Sequence, residues 1–212
     1  MPRPRQRTPE LKDRLLQAAV AALVEEGVAG FTTRRVANDA GTSVPAVYEL
    51  FGSRAGLVRE LFFEGFRRLR ARFDVLQESG DPRADLLAAM QATRGFLVEN
   101  RALAEVLFSR PFTDFDPGPD DVTAGDATRE FIVDRVRRCT RAGLLVGDEV
   151  DIAHVLFALV HGLAARETAG WLGKSASEVE RRWDLALRAV LDGVAAKPEG
   201  RARPTRPPPA IP

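Results

Sequence analysis

The sequence predicts an all-α fold of about nine helices. Three observations lead there. Apolar residues recur at three- and four-residue intervals along most of the chain, the spacing of one buried helix face. Thr, Ser or Asp precedes many of these runs, often with Pro close behind, and Gly follows several. These residues open and close helices. No stretch alternates polar and apolar residues in a way that predicts a strand.

Composition sets the outer limits. A chain of 212 residues can bury a sizeable core in one domain or two small ones. Hydrophobic residues are 45% and charged residues 29%, as in globular proteins. The formal net charge is only +1, so any nucleic-acid contact must come from a local patch. No apolar run reaches the roughly 18 residues of a membrane span, and no membrane partner is expected. The basic start, MPRPRQRTPELK, lacks the apolar stretch of a secretory signal. The single Cys139 has no internal disulfide partner, which fits a reducing cytoplasm.

In chain order, residues 1–8 set Arg3, Arg5 and Arg7 around Pro2 and Pro4. They predict a flexible basic arm, either a plain chain end or a segment following phosphates or a minor groove. The first helix starts at Thr8–Pro9, buries Leu11, Leu15, Ala18, Ala22 and Leu23, and stops at Gly27. Phe31 then plugs the space beneath the next two helices. The second helix runs from Thr33 to Ala40, capped by Thr32, with Val36, Ala37 and Ala40 inward. Gly41 supplies the positive φ of a tight turn. Ser43 caps the third helix, Pro45 sits in its first turn, and Val47 and Phe51 point back to the core. Ala46, Tyr48 and Glu49 therefore lie on its other faces.

Ser53 caps a long fourth helix that buries Leu57, Leu61, Phe62, Phe66, Leu69, Phe73 and Leu76. Asp81 and Pro82 open the fifth. Asn100 separates it from a short sixth carrying Leu103, Val106, Leu107 and Phe108. Residues 110–121, RPFTDFDPGPDD, predict a loop, and Thr123 with Asp126 predicts a capping box. The seventh helix then buries Phe131, Val133, Val136 and Cys139 and ends at Gly143. Asp148 starts the eighth, which is apolar from Ile152 to Ala165 apart from His154 and His161 and so is expected to be covered nearly all round. Ser177 with Glu180 predicts a second capping box before the stripe Val179, Trp183, Leu187, Val190, Leu191 and Val194. Residues 197–212, KPEGRARPTRPPPAIP, predict a disordered tail, with a proline-rich ligand segment as the alternative.

The stretch Thr32–Phe51, TTRRVANDAGTSVPAVYELF, thus reads as a helix–turn–helix, a unit that sets its second helix in a major groove. With Phe31 before it and SRAGLVRELF after it, the pattern over about residues 9–70 resembles the DNA-binding domain of the TetR (tetracycline-repressor-like) family of transcriptional regulators. LVHGLAARETAGWLG, residues 159–173, is similar to a helix of one large branch of that family, built around Trp-His-Gly. Here Val160 replaces the Trp. The resemblance implies a helix–turn–helix DNA-binding domain over residues 9–56, joined through helix 4 to a larger helical ligand-binding and dimerisation domain over residues 57–196. It implies a ligand-relieved repressor bound to a palindromic double-stranded operator as a homodimer. No enzymatic activity, cofactor or metal is implied.

Carried onto this chain, the resemblance and side-chain chemistry assign roles. Thr33 is placed for phosphate. Arg34 can reach a base edge, with guanine the usual partner, or stay a solvated surface charge. Thr42, Ser43, Val44, Pro45 and Ala46 begin the recognition helix. Ser43 suits phosphate or base, and the small apolar Val44 and Ala46 suit thymine methyls. Tyr48 matches the family's phosphate-binding tyrosine. Arg54 stands where the family usually has Lys, as a second backbone anchor. Glu49 stands where His is frequent, and its carboxylate repels phosphate unless it accepts from a cytosine amino group. Lys12 and Arg35 join this patch, which Asp39 and Glu49 offset.

One short recognition helix reads few bases, so a two-fold dimer is expected. The helices near 148–171 and 176–195 are the interface candidates, two from each subunit forming a four-helix bundle. A small-molecule effector would take an apolar pocket drawn from Phe96, Phe108, Phe112, Phe115, Phe157, His161 and Trp171. Aromatics at helical spacing also describe plain core. His154 and His161 lie about 10 Å apart along their helix, too far to hold one ion. Cys139 reads as a small buried hydrophobe. Two other classes compete. An all-helical enzyme would have to work with two His, one Cys and no Gly-rich nucleotide loop. A DNA-binding architectural protein without a ligand would not require so large a body.

Overall fold

The computed structural model describes residues 8–109 and 111–196. Among these the chain forms nine helices: α1 (Pro9–Gly30), α2 (Thr33–Asp39), α3 (Val44–Phe51), α4 (Arg54–Asp74), α5 (Pro82–Glu99), α6 (Arg101–Phe108), α7 (Pro119–Arg141), α8 (Glu149–Thr168) and α9 (Ala176–Gly193). The all-α expectation holds. Extended pairing among the described residues is limited to one isolated antiparallel bridge, Leu145 to Ala195. Residues 1–7 of the expected arm and the tail from Lys197 lie outside the described residues.

Most helix starts follow from their caps. The side chain of Thr8 accepts from the Leu11 amide, that of Thr32 from Arg35, and that of Ser53 from Gly56. The carboxylates of Asp81 and Asp148 each take two amides of the turn they open. Each such bond satisfies an amide that the helix itself leaves unpaired. Four expectations are corrected. The seventh helix does not begin at a Thr123–Asp126 box: it begins at Pro119, where the Asp121 carboxylate accepts from the Gly118 amide at 2.9 Å. The Thr123 hydroxyl instead donates to the Pro119 carbonyl one turn back. The ninth helix is capped by Ser175, not Ser177, with Glu178 accepting from the Lys174 amide at 2.8 Å. Ser43 occupies the N-cap of α3 but makes no side-chain capping bond. Gly27 breaks α1 with φ 65°, yet a further turn runs on to Gly30.

Two groups of helices share α4. Its start packs on α1 and α3, and its length packs on α5, α6 and α7. α6 also touches α1, so the small unit α1–α3 meets the larger body through α6 as well as through α4. The buried stripe of α4 is Leu57, Val58, Leu61, Phe62, Gly65, Leu69 and Phe73. Gly65 lets α6 lie close, because a Cβ there would meet the Leu107 side chain. In the body, Arg94 of α5 ties α8 to α9. It bonds Glu167 at 2.8 and 2.9 Å and Glu180 at 2.9 Å, and it lies 4.8 Å from the Trp183 ring. The Trp183 Nε1–H donates to Glu167 at 2.7 Å.

α8 is not covered all round within one chain. Ile152, Ala153, Leu156, Val160 and Ala164 are buried, while Val155, Ala158, Gly162 and Ala165 are exposed. On α9, Trp183, Leu187 and Leu191 are buried and Leu185 is 68% exposed. No helix among the described residues is long and apolar enough to cross a membrane.

Gly56 fixes the corner between α3 and α4. A Cβ there would run into the carbonyl oxygen of Phe51, and backbone cannot yield as a side chain can. Gly56→Ala should therefore destabilise the chain by about 2–3 kcal/mol. In a thermal melt this is a fall of roughly 5–10 °C for a chain of this length.

Candidate nucleic-acid interface

Between α2 and α3 the chain turns at Gly41, with φ 64°. The Gly41 amide donates to the Asn38 carbonyl at 3.0 Å, and the Thr42 amide to the Ala37 carbonyl at 2.9 Å. These bonds close the end of α2 and aim α3 away from it. Val36, Ala37, Ala40 and Val47 are buried and pin both helices to α1 and α4.

The outer edge of the pair gathers most of the expected residues. Arg34, Ser43, Pro45, Tyr48 and Glu49 are exposed, while Thr33, Thr42 and Ala46 are half-buried. Tyr48 is 43% exposed on the outer face of α3, one turn after Pro45. The Ser43 hydroxyl makes no capping bond, and the Ser43 carbonyl receives the Ala46 and Val47 amides at 3.0 and 3.3 Å. Val44 is placed differently from its assigned role. It is half-buried and packs on the core, because positions 44, 47 and 51 share one helical face. The apolar group at the exposed edge is Pro45 instead.

The basic patch is smaller than the sequence implies. Arg35 is held by Glu25 at 2.6 Å, by Asp39 at 2.6 Å and by Glu26, which makes it a brace between α1 and α2. Lys12 pairs with Glu60 at 2.8 Å and sits 5.9 Å from the Phe51 ring. Arg54 is engaged as well. Its Nη1 donates to both carboxylate oxygens of Asp114 at 2.6 Å. Its guanidinium lies 5.0 Å from the Phe112 ring and 5.7 Å from the Phe31 ring. The bond to Arg54 holds the Asp114 carboxyl below the usual carboxylate range, against the opposing effect of burial. Asp114 and Phe112 carry no helical signal, so sequence periodicity does not mark them. Their only mark is a loop dense in Asp and Phe.

The seven aromatic and histidine residues expected around one pocket do not converge. Phe108, Phe157 and His161 do meet, with ring centroids 4.3 Å apart for Phe108–His161 and 6.3 Å for Phe157–His161. Phe108 and His161 border a cleft of about 630 Å³ between α5, α6 and α8, which Leu97, Ala104 and Thr168 also line. Phe96 is fully buried core. Phe112 turns toward the small N-terminal unit, edge-on to Phe31 at 5.3 Å, and Phe115 packs edge-on to Phe62 of α4 at 5.6 Å. Trp171 is 72% exposed beyond the end of α8. The Nδ1 of His161 lies 2.7 Å from the Phe157 carbonyl, so Nδ1 carries the proton and Nε2 is an acceptor. That Nε2 is buried without a hydrogen-bond partner among the described residues. No group of three or more metal-ligating side chains occurs among the described residues.

Comparison with known proteins bears on both units. Residues 15–61 match the family model described as bacterial regulatory proteins, tetR family. Residues 86–190 match a tetracyclin repressor-like C-terminal domain. An HTH-type transcriptional regulator of Mycobacterium tuberculosis is 30% identical over 144 residues, covering 66% of this chain and 59% of that protein. The chain thus spans about three fifths of the length of that curated relative. Among solved structures, a protein of unknown function from Rhodococcus sp. RHA1 superposes with a TM-score of 0.77 at 30% identity, over 92% of this chain and all of that one. The TetR family transcriptional regulator PfmR from Thermus thermophilus superposes with a TM-score of 0.61 at 21% identity, over 83% of this chain and 98% of that one. At that identity the likeness speaks to the fold.

His161 gives the cleft a pH dependence. Burial pushes its imidazole below the ordinary range, against a smaller opposing pull from the Phe157 carbonyl. The unfolded chain therefore binds this proton more readily than the folded one. The contribution of a neutral His161 to stability is complete above pH ~6.5 and is lost as pH falls from there through its folded value. An NMR titration should find its midpoint below that of a free imidazole. The loss of melting temperature between roughly pH 7 and pH 5 should be smaller in His161→Gln.

Proposed function

Because the chain belongs to the tetR family of bacterial regulatory proteins, we propose that it is a sequence-specific DNA-binding transcriptional regulator, a repressor relieved by a small-molecule effector. The observation that carries this reading is the outer edge of α2 and α3. There Arg34, Ser43, Pro45 and Tyr48 are exposed together on a rigid helix pair whose other faces are buried. Side chains held away from the core by packed helices can meet a groove without refolding. Tyr48 and Thr33 contact the backbone and fix register. Arg34 reads a base edge, and Glu49 sets a preference at a neighbouring base. Such a protein works where the DNA is, in the cytoplasm.

The reading unit is residues 9–56, and the remainder to 196 is the effector and dimer body. The homodimer forms through α8 and α9. Support comes from the apolar groups these helices leave in water, Val155 at 52% exposed and Leu185 at 68%. The small, exposed Ala158 and Gly162 that follow Val155 on α8 allow two helices to approach closely. The effector occupies the cleft between α5, α6 and α8, where the unpartnered His161 Nε2 would accept a hydrogen bond from it.

Selection of bound duplexes from a random pool tests this reading. A two-fold-symmetric consensus is expected. An architectural binder would return no consensus, and a protein that retains no duplex would not be a DNA-binding regulator. On the selected site, Arg34→Ala should cost about 1–3 kcal/mol and relax specificity at one position of each half-site. Tyr48→Phe should weaken cognate and random duplexes alike, by about 1 kcal/mol. Light scattering at micromolar concentration should give the mass of a dimer; a monomer would remove the α8–α9 interface.

A further inference from the structure

Arg54 stands at the first position of α4, beside the reading unit, and a carboxylate already occupies it. The carboxylate comes from the body. Asp114 lies in the segment between α6 and α7, and both its oxygens receive the Arg54 Nη1 at 2.6 Å. The segment is also held by packing. Phe112 is 4% exposed and sits edge-on to Phe31, while the Arg54 guanidinium lies over both rings. The first turn of α4 contains no acidic residue, although a helix start favours negative charge. Asp114 supplies it from outside the helix. A DNA phosphate at Arg54 would offer the same charge and the same acceptor atoms. It would also meet Asp114 on the same cation, and two anions sharing one guanidinium repel.

We propose that Asp114 is an internal stand-in for phosphate: seated on Arg54 it lowers affinity for DNA, and displacement of its segment hands Arg54 to the DNA backbone. The inference rests on the DNA-binding reading above and adds a means of regulating it. The segment is well placed to report on the body. Phe108 and Ser109, at the end of α6, line the cleft beside His161, and Phe112 and Asp114 follow within two turns' length of chain. A molecule in the cleft braces the residues from which this segment departs, which keeps Asp114 on Arg54 and lowers affinity for DNA, the sign that relief of a repressor requires. The exchange needs no melting of a helix, because the ion pair is a surface contact between side chains 35% and 40% exposed.

The test is a double-mutant cycle on DNA binding, which needs neither operator nor effector. The probe is a fluorescein-labelled duplex of random sequence, titrated with the full chain at several salt concentrations. Asp114→Asn should bind about three- to five-fold tighter than wild type, the scale of one exposed ion pair. Its affinity should also fall more steeply with salt, by about one phosphate contact. In an Arg54→Ala background the same substitution should change affinity less than about two-fold, since the cycle isolates the pairwise effect. Asp114→Glu keeps the charge and should bind as wild type does. The proposal is overturned if Asp114→Asn binds equally or more weakly, because Asp114 would then merely orient Arg54. It is also overturned if the gain persists without Arg54, because that is only the loss of a negative charge near DNA. If wild type binds no duplex while Asp114→Asn also binds none, the DNA-binding reading itself fails. If wild type binds none, Asp114→Asn binds and the double variant does not, Asp114 blocks Arg54 completely. Circular dichroism of each variant separates misfolding from weak binding.

Discussion

The position of the reading unit depends on one junction, the meeting of Phe31, Phe112 and Arg54 at the start of α4. Phe31 and Phe112 are 2% and 4% exposed and pack edge-on. Burying a phenyl ring contributes about 1.5–3 kcal/mol, and an edge-on aromatic pair adds about 0.5–1.5 kcal/mol. The Arg54–Asp114 pair, about a third or more exposed on both sides, contributes at most about 1 kcal/mol. Packing therefore holds the two units together, and the ion pair decides only which anion Arg54 faces. Because Asp114 follows Phe112 by two residues, displacing its segment also works against this packing. The close packing of α6 on α4 at Gly65 stiffens this link.

Stiffness matters because a single head is a poor reader. α3 has eight residues, and its inner face is spent on Val44, Val47 and Phe51. A few exposed side chains remain for base edges. Useful specificity then comes from holding two heads at a set separation, which α8 and α9 would do from the far end of the body. The Arg94–Glu167–Trp183 contacts hold α5 against these two helices. Three contacts thus act in series: the proposed dimer face, the body, and the junction at α4.

Much of this is legible in the sequence because helices announce themselves locally. Thr8, Thr32, Ser53, Asp81 and Asp148 cap where their residue types say they should, and Gly41 turns where a positive φ is needed. The corrections fall where several local signals compete. Thr123–Asp126 and Ser177–Glu180 have the spacing of capping boxes, but Asp121 and Ser175 lie closer to where the chain reverses. The size of Val44 suits a thymine methyl, but its place on the face of Val47 and Phe51 turns it to the core. Partners distant in sequence are not legible at all. Nothing near Arg54 marks Asp114, sixty residues on, and nothing near Arg35 marks Glu25 and Glu26 as its braces. The aromatic pocket fails for the same reason: residue type cannot say which phenyl rings converge and which aromatics, like Trp171, are left in water.

The junction sets where the heads sit. The most direct measurement is the distance between them, from spin labels at Asn38→Cys on each protomer; Asn38 is exposed, whereas the native Cys139 is buried. With the junction intact on DNA, the distribution should be narrow and compatible with two major grooves about 34 Å apart. In the free protein, Phe112→Ala, which removes the ring from Phe31, should give a broader distribution than free wild type, shifted by several ångströms. An unchanged distribution in that variant would show that the heads are placed by something else, and would contradict the account.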